Sequence, residues 1–266
     1  MGGAEDKLRD RQILRRFVAE AGGANARIVI IPTASQLDDT GDRYARIFHA
    51  LSADETHVIQ IQSREEALDP EAETLEAMED ASGIFISGGN QLRLSTLLGG
   101  TPLAAVLFRK HAAGAVVAGT SAGAALLAEH MIAFGQSGPS PSHKMVTLAP
   151  GLGLTHDVII DQHFRQRDRL GRLLMALCYN PRLVGLGVDE DAAAIIDADR
   201  IVHVIGNGSV TVVDASQCRW TNADDVVTHG PIGVFGVKLD VLSPGCRYDL
   251  ATRMAEPSRR MEGKPT

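Results

Sequence analysis

Three short apolar runs without any polar interruption restrict this chain more than any other feature: Arg27-Ile-Val-Ile-Ile31, Gly83-Ile-Phe-Ile86 and Gly114-Ala-Val-Val-Ala118. A strand with one wet face alternates apolar and polar residues, so a run that does not alternate is covered on both faces. Thr56–Ile61 reads as a further, more polar strand. Between these runs the apolar period changes to that of a helix. Ile13, Leu14, Phe17 and Val18 are closed by Gly22-Gly23, and Tyr44, Ile47, Phe48 and Leu51 follow. Further helical stretches run from Pro70 to Asp80, Leu92 to Leu98 and Leu103 to His111. Doubly buried strands alternating with helices predict an α/β fold around a mostly parallel sheet.

The second half is richer in strands: Val158–Ile160, Leu183–Val188, Ala192–Ile196, Ile201–Val204, Val210–Val213 and Val237–Val241. A basic helix is expected from Phe164 to Cys178, and a hairpin across Asp197-Ala198-Asp199-Arg200. At 266 residues the chain can bury a full core, and no repeat or compositional break divides it. One domain over residues 1–246 is therefore expected. The stretch 247–266, with Pro257 and Pro265 and little apolar content, reads as a flexible tail.

Composition removes whole classes of function. Lys and Arg number 26 against 33 Asp and Glu, a net charge of −7 that opposes general binding to nucleic acid or a membrane surface. Aromatic residues make up 4% of the chain, too few for a base-stacking platform. No window approaches 18 uninterrupted apolar residues, so no membrane span is expected. Cys178, Cys218 and Cys246 fit neither a disulfide framework nor a zinc pattern, and suit a reducing compartment. The opening residues MGGAEDKLRDRQ lack a basic and then apolar leader, which makes the cytoplasm the expected location. No metal-ligand spacing and no cofactor motif is present, so neither metal nor cofactor is expected.

The sharpest chemical feature is Gly119-Thr120-Ser121-Ala122-Gly123, set between a predicted strand and the apolar stretch Ala124–Leu127. Glycines at both ends permit a tight turn that lifts a serine hydroxyl above the sheet edge, and the following helix offers N–H groups to an oxyanion. The plainer reading is a turn whose serine caps the helix. A nucleophilic serine needs a base. Of nine histidines, His49, His111 and His130 fall in helical patterns, and His57 and His203 fall in strands. His163 follows the run Val158–Ile160, near a strand end where α/β active sites gather, with His156 a weaker rival. The acids Asp189-Glu190-Asp191 end another strand and are read either as orienting groups or as a solvated turn. On a continuous helix Arg165, Arg169 and Arg172 would share one face, suited to carboxylates or simply to solvent. Ser87-Gly88-Gly89-Asn90-Gln91 resembles an anion-cradling loop without the lysine of a phosphate-binding loop.

Taken together, GGAEDK (2–7), RIVIIPTAS (27–35), SGGNQLRL (87–94), VVAGTSAGAALLAEHMI (116–132), LAPGLGL (148–154), IIDQHFRQRDRLGRL (159–173) and VGLGVDEDAAAII (184–196) resemble the cyanophycinase family of serine exopeptidases, related to the aspartyl dipeptidase E peptidases. The resemblance implies a class I glutamine amidotransferase-like, flavodoxin-related α/β sandwich and a homodimer. It places the nucleophile on Ser121, the base on His163 and the acid on Glu190. Substrate contacts would fall on Gln91, Asp161, Gln162, Arg167, Arg169 and Arg172, with Arg167 replacing the Arg165 of the helical-face argument. In this reading the arginines hold substrate carboxylates, Asp161 or another acid holds a substrate guanidinium, and backbone N–H groups near Gly89 and Ala122 hold the oxyanion. The implied reaction is hydrolysis of cyanophycin, polyaspartate bearing arginine on its side chains, to β-aspartyl-arginine. An aspartyl dipeptidase and an inert binding protein on the same fold are the alternatives. Two departures from the family pattern stand out: members carry an apolar strand ahead of GGAEDK, expected to be missing before Met1, and Asn90 replaces a common aspartate.

Overall fold

The computed structural model describes residues 1–225 and 230–258. The chain divides into two compact units, one formed by Asp6–Glu129 with Pro150–Leu154, the other by Met1–Glu5, His130–Ala149 and the chain from Thr155 onward.

The first unit runs α1 (Gln12–Glu20), β1 (Arg27–Ile31), α2 (Thr40–Ala50), β2 (Glu55–Val58), α3 (Arg64–Leu68), α4 (Ala72–Asp80), β3 (Gly83–Ile86), α5 (Gln91–Leu98), α6 (Pro102–Ala112), β4 (Val116–Gly119) and α7 (Ala122–Leu126). Its four strands are parallel in the order β2-β1-β3-β4. The unalternating runs behave as doubly covered strands. On one side Phe17 of α1 and Tyr44 and Phe48 of α2 close on Phe85 of β3, with ring centroids 5.6, 4.5 and 5.2 Å away. On the other, Ile31 meets Met78, Leu98, Leu103 and Leu107 from α4, α5 and α6. Local signals set the helix ends: Thr101 caps α6 by accepting from Ala104 N, Pro102 opens it, and Arg109, Lys110 and His111 finish it. Ile86 pairs with Gly119, so the loops leaving β3 and β4 lie side by side at the carboxyl edge of the sheet.

The second unit contains β5 (His130–Gly135), β6 (Val146–Pro150), β7 (Val158–Gln162), α8 (Leu170–Tyr179), β8 (Val184–Val188), β9 (Ala192–Ile196), β10 (Ile201–Gly206), β11 (Val210–Asp214), β12 (Trp220–Thr221), β13 (Val234–Phe235), β14 (Lys238–Leu242), β15 (Arg247–Asp249) and β16 (Met254–Glu256). A sheet in the order β14-β11-β8-β7 is antiparallel except where β7 and β8 run parallel, joined by α8. A second sheet, β16-β15-β10-β9, is antiparallel throughout. Ile159, Phe164, Leu173, Met175, Leu177 and Val213 belong to one buried hydrophobic cluster between α8 and the β14-β11-β8-β7 sheet.

Three expectations change. His130 opens a strand rather than lying in a helix, and β5 and β6 occupy a stretch with no clear period. The basic helix from Phe164 breaks: Arg165–Arg167 is a single 3-10 turn, Asp168 is left-handed at φ 48°, and α8 begins only at Leu170. The stretch from Arg247 is no flexible tail up to Glu256, because β15 and β16 pair onto β10 and Tyr248 is fully buried. Residues 259–266 of that expected tail lie outside the described residues. Among the described residues no helix is long and apolar enough to cross a membrane.

Candidate active site

The candidate residues fall into two groups. Gly89, Gln91, Ser121 and Ala122 belong to the first unit; Asp161, Gln162, His163, Arg167, Arg169, Arg172 and Glu190 belong to the second.

In the first unit, Ser121 sits between β4 and α7 at φ 52°, ψ −116°, a conformation disfavoured for any residue but glycine. The flanking glycines explain how the turn is held. A β-carbon on Gly119 would lie 2.3 Å from the Gly123 carbonyl, and one on Gly123 would lie 2.2 Å from Ile86 O at the end of β3. The Ser121 side chain makes no capping bond, which removes the plain capping reading. Ala122 is the first residue of α7, and a first-turn N–H has no acceptor within its own helix. Gly89 turns the neighbouring loop at φ 145° and Gln91 opens α5.

Asn90 has a clear local task. Its Oδ1 accepts from Leu92 N at 3.0 Å and Arg93 N at 3.2 Å, capping α5. An aspartate would accept the same bonds, so the departure from the family pattern costs the helix nothing. Asn90→Ala is expected to lower stability by about 1 kcal/mol, read as a drop of about 2–4 °C in Tm, while Asn90→Asp keeps or raises it.

In the second unit, the ends of parallel neighbours β7 and β8 bring His163 and the Asp189–Asp191 turn together. His163 Nδ1 lies 2.7 Å from Glu190 Oε1. A carboxylate only accepts, so Nδ1 carries the proton and Nε2 holds the lone pair. The imidazole is 12% exposed, and its burial pushes its pKa below the usual 6.5. The Glu190 hydrogen bond opposes that shift, and the charges of Arg167 and Arg169 add to it. The result is an imidazole kept neutral at neutral pH, as a base must be.

The three consecutive acids do three different things. Asp189 is buried and accepts from Arg165 N at 3.0 Å and Ser209 N at 3.4 Å, fixing the loop that carries His163. Glu190 takes the imidazole, while its own N–H donates to Gln166 Oε1 at 3.1 Å. Asp191 accepts from the Asn207 side chain at 2.8 Å. Phe164, next to His163, packs against Gly187 of β8, where a β-carbon would lie 2.5 Å from the ring. Gln166 and Phe164 escaped the sequence reading as parts of the site, and Asp189 was read there only as one of three candidate acids. Burial of one acid among three leaves no trace in a run of like residues, whereas the apolar Phe164 beside a candidate base was a usable signal.

The arginines separate according to the broken helix. Arg165 is 79% exposed at its side chain and lies beside Asp189 at 3.5 Å. Arg167 is also exposed. Arg169 and Arg172 turn inward. Arg172 Nε donates to Asp161 Oδ2 at 2.7 Å, its Nη2 donates to Asp161 Oδ1, and Nη1 reaches Gly135 O at 3.4 Å. Asp161 is fully buried and both of its oxygens are taken by Arg172, so a substrate guanidinium at Asp161 would have to compete with Arg172. Arg169 donates to Gln162 O at 2.5 Å and lies 3.5 Å from Asp161, and its buried Nε–H has no partner among the described residues. Burial, with Arg172 nearby, pushes its pKa down to about 10. Gln162 is buried at the end of β7.

Three other histidines make local pairs away from these groups: His203 bonds Asp197 at 2.7 Å, His49 bonds Thr56 at 2.8 Å, and His57 pairs with Glu55 at 2.9 Å. Among the described residues, no group of three or more His, Cys, Asp or Glu could hold a metal ion.

Known proteins resemble the whole chain. The model of Peptidase family S51 matches residues 1–204. A cyanophycinase of Trichormus variabilis is 41% identical over 260 residues, covering 97% of this chain and 87% of that protein. A cyanophycinase of Synechococcus elongatus is 43% identical over 258 residues, covering 96% and 80%. The crystal structure of a peptidase from an acI-B1 Actinobacterium shares the fold at a TM-score of 0.64 and 21% identity, over 89% of this chain and 93% of that one. With a family match over most of its length and relatives above 40% identity across nearly all of it, the chain belongs to peptidase family S51.

Proposed function

We propose that this chain is a serine exopeptidase that hydrolyses cyanophycin to β-aspartyl-arginine through an acyl-enzyme on Ser121. One observation carries the reading: Ser121 is held in a strained turn, without a capping role, at the carboxyl edge of a parallel sheet. The His163–Glu190 bond supports it, as does the likeness to relatives named cyanophycinase. In this mechanism Ser121 Oγ attacks the backbone carbonyl carbon of the polymer as its proton passes to His163 Nε2. Glu190 holds the imidazole tautomer and stabilises its cation. N–H groups of Gly89 and Ala122 stabilise the oxyanion. His163 then protonates the departing amine, and a water deprotonated by the same Nε2 releases the product.

Substrate recognition follows from charge. Asp161 faces two buried guanidiniums with a single negative charge, leaving a local excess of positive charge at Arg169. That positive charge is proposed to draw an aspartate carboxylate of the substrate toward this end of β7. Exposed Arg167 would reach further carboxylates, and Gln91 and Gln162 complete the proposed contacts. The parallel order β2-β1-β3-β4 is the order of flavodoxin-like sheets and supports the class I glutamine amidotransferase-like assignment. The proposal treats residues 1–246 as one working domain, because nucleophile and base come from different units. A homodimer follows from the family resemblance alone. The described cysteines are free thiols, which suits a cytoplasmic setting.

The test is digestion of purified cyanophycin granules with mass spectrometry of the soluble products. Release of β-aspartyl-arginine is expected. Cleavage of small aspartyl peptides but not granules would replace the substrate with the dipeptidase alternative. A folded chain that no fluorophosphonate labels would point to the inert binding protein instead.

The pH dependence follows from His163. The acidic limb of kcat/KM is expected below 6.5, since the base must be neutral and its pKa is lowered. Removing a neighbouring positive charge favours the imidazolium, so Arg167→Gln moves the limb upward and reduces relative activity near its foot. A limb that stays in place would remove Arg167 from the neighbourhood of the base.

A further inference from the structure

We infer that the Gly2–Gly3 loop is a positioning element for the His163 imidazole, an inference that rests on the proposed role of His163 as the base. Gly3, at φ 97°, lies flat against the ring: a β-carbon there would fall 2.4 Å from Cε1, 2.6 Å from Nε2 and 3.1 Å from Nδ1. The backbone of the same two residues is tied to both loops of the proposed pair. His163 N donates to Gly2 O at 2.8 Å, Asp191 N donates to Gly3 O at 3.0 Å, and Gly2 N donates to Ala192 O at 3.0 Å. Gly2 approaches the other loop so closely that a β-carbon would lie 2.0 Å from Asp189 O.

The physical need is specific. The bond to Glu190 holds one edge of the ring through Nδ1. Contact with Gly3 restricts the ring plane, and with it the direction of the Nε2 lone pair that must accept the serine proton. His163 itself is held at φ 47°, a backbone state that needs outside support. Gly3 contributes no reacting group; it acts through the ring.

A matched pair of variants tests this. Gly3→Ala introduces a methyl group against the ring at a left-handed position. Gly114→Ala likewise puts an alanine at positive φ, 100°, with nothing within 4 Å of the new methyl. Gly3→Ala is expected to lower kcat about 100-fold with KM little changed, as an ångström-scale misplacement does, whereas Gly114→Ala stays within about twofold of wild type. The second readout is the downfield proton resonance of the Nδ1–H bonded to Glu190, which needs no substrate. It is expected to shift or vanish in Gly3→Ala and persist in Gly114→Ala. If kcat or that resonance survives in Gly3→Ala as it does in Gly114→Ala, the inference is overturned. If wild type fails on cyanophycin, the functional reading fails, and the resonance alone still decides the positioning. Should Gly3→Ala not fold, wild type labelled at histidine and glycine is expected to show a cross-peak between Gly3 Hα and His163 Hε1. Its absence overturns the inference.

Discussion

Ser121→Ala is expected to lower kcat on cyanophycin by about four orders of magnitude or more, with Tm within about 2 °C of wild type. Removing the nucleophile of a triad costs nearly as much as removing the whole triad, because its members act as a unit. Stability is expected to move little because one serine hydroxyl hydrogen bond contributes only about 1 kcal/mol net, and Ser121 gives α7 no side-chain cap. A companion variant sharpens the argument. Ser121→Gly also lacks Oγ, yet φ 52°, ψ −116° is a backbone state that glycine adopts readily. It should be as inactive as the alanine variant and more stable by about 1 kcal/mol, the strain released. Activity in Ser121→Ala above about 1% of wild type would remove the serine mechanism. Equal melting temperatures for the two variants would remove the claim of strain.

The second large effect concerns stability. Asp161→Asn is expected to destabilise the protein by about 3–5 kcal/mol, the usual consequence of removing one partner from a buried ion pair. Asp161 is fully buried, Arg172 holds both of its oxygens, and Arg169 lies beside it. An amide would leave two inward-facing guanidiniums without a counter-charge. Glu190→Gln provides the contrast. Its side chain is 36% exposed, so little stability is at stake, but kcat should fall by about 10⁴ because the amide no longer selects the imidazole tautomer. Chemical denaturation and kinetics on both variants separate the two carboxylates. If Asp161→Asn melted like wild type and only raised KM, Asp161 would be a substrate contact after all.

Much of this was legible in sequence because its signals are local. The unalternating runs at 27–31 and 83–86 became β1 and β3 with both faces covered, and the turn at Ser121 lies between a strand and a helix as its glycines implied. Other features were not local. Arg165, Arg169 and Arg172 share a face only if the helix is continuous, and left-handed Asp168 interrupts it, leaving Arg165 exposed and the other two buried. Three adjacent acids look alike in a sequence, yet Asp189 is buried to brace a loop, Glu190 meets the imidazole and Asp191 holds Asn207.

What the sequence by itself determined was the kind of element at each place and the chemical types collected at strand ends. Periodicity and turn residues act over a few neighbours and need no knowledge of the rest of the chain. The tertiary structure alone decided which charges are buried and what they meet. It enclosed Asp161 with Arg172, laid Gly3 on the ring of a residue 160 positions away, and paired Tyr248 with Val202 in a stretch that reads as a tail. Such choices depend on desolvation and on hydrogen bonds between distant segments, and those energies exist only once the chain has folded.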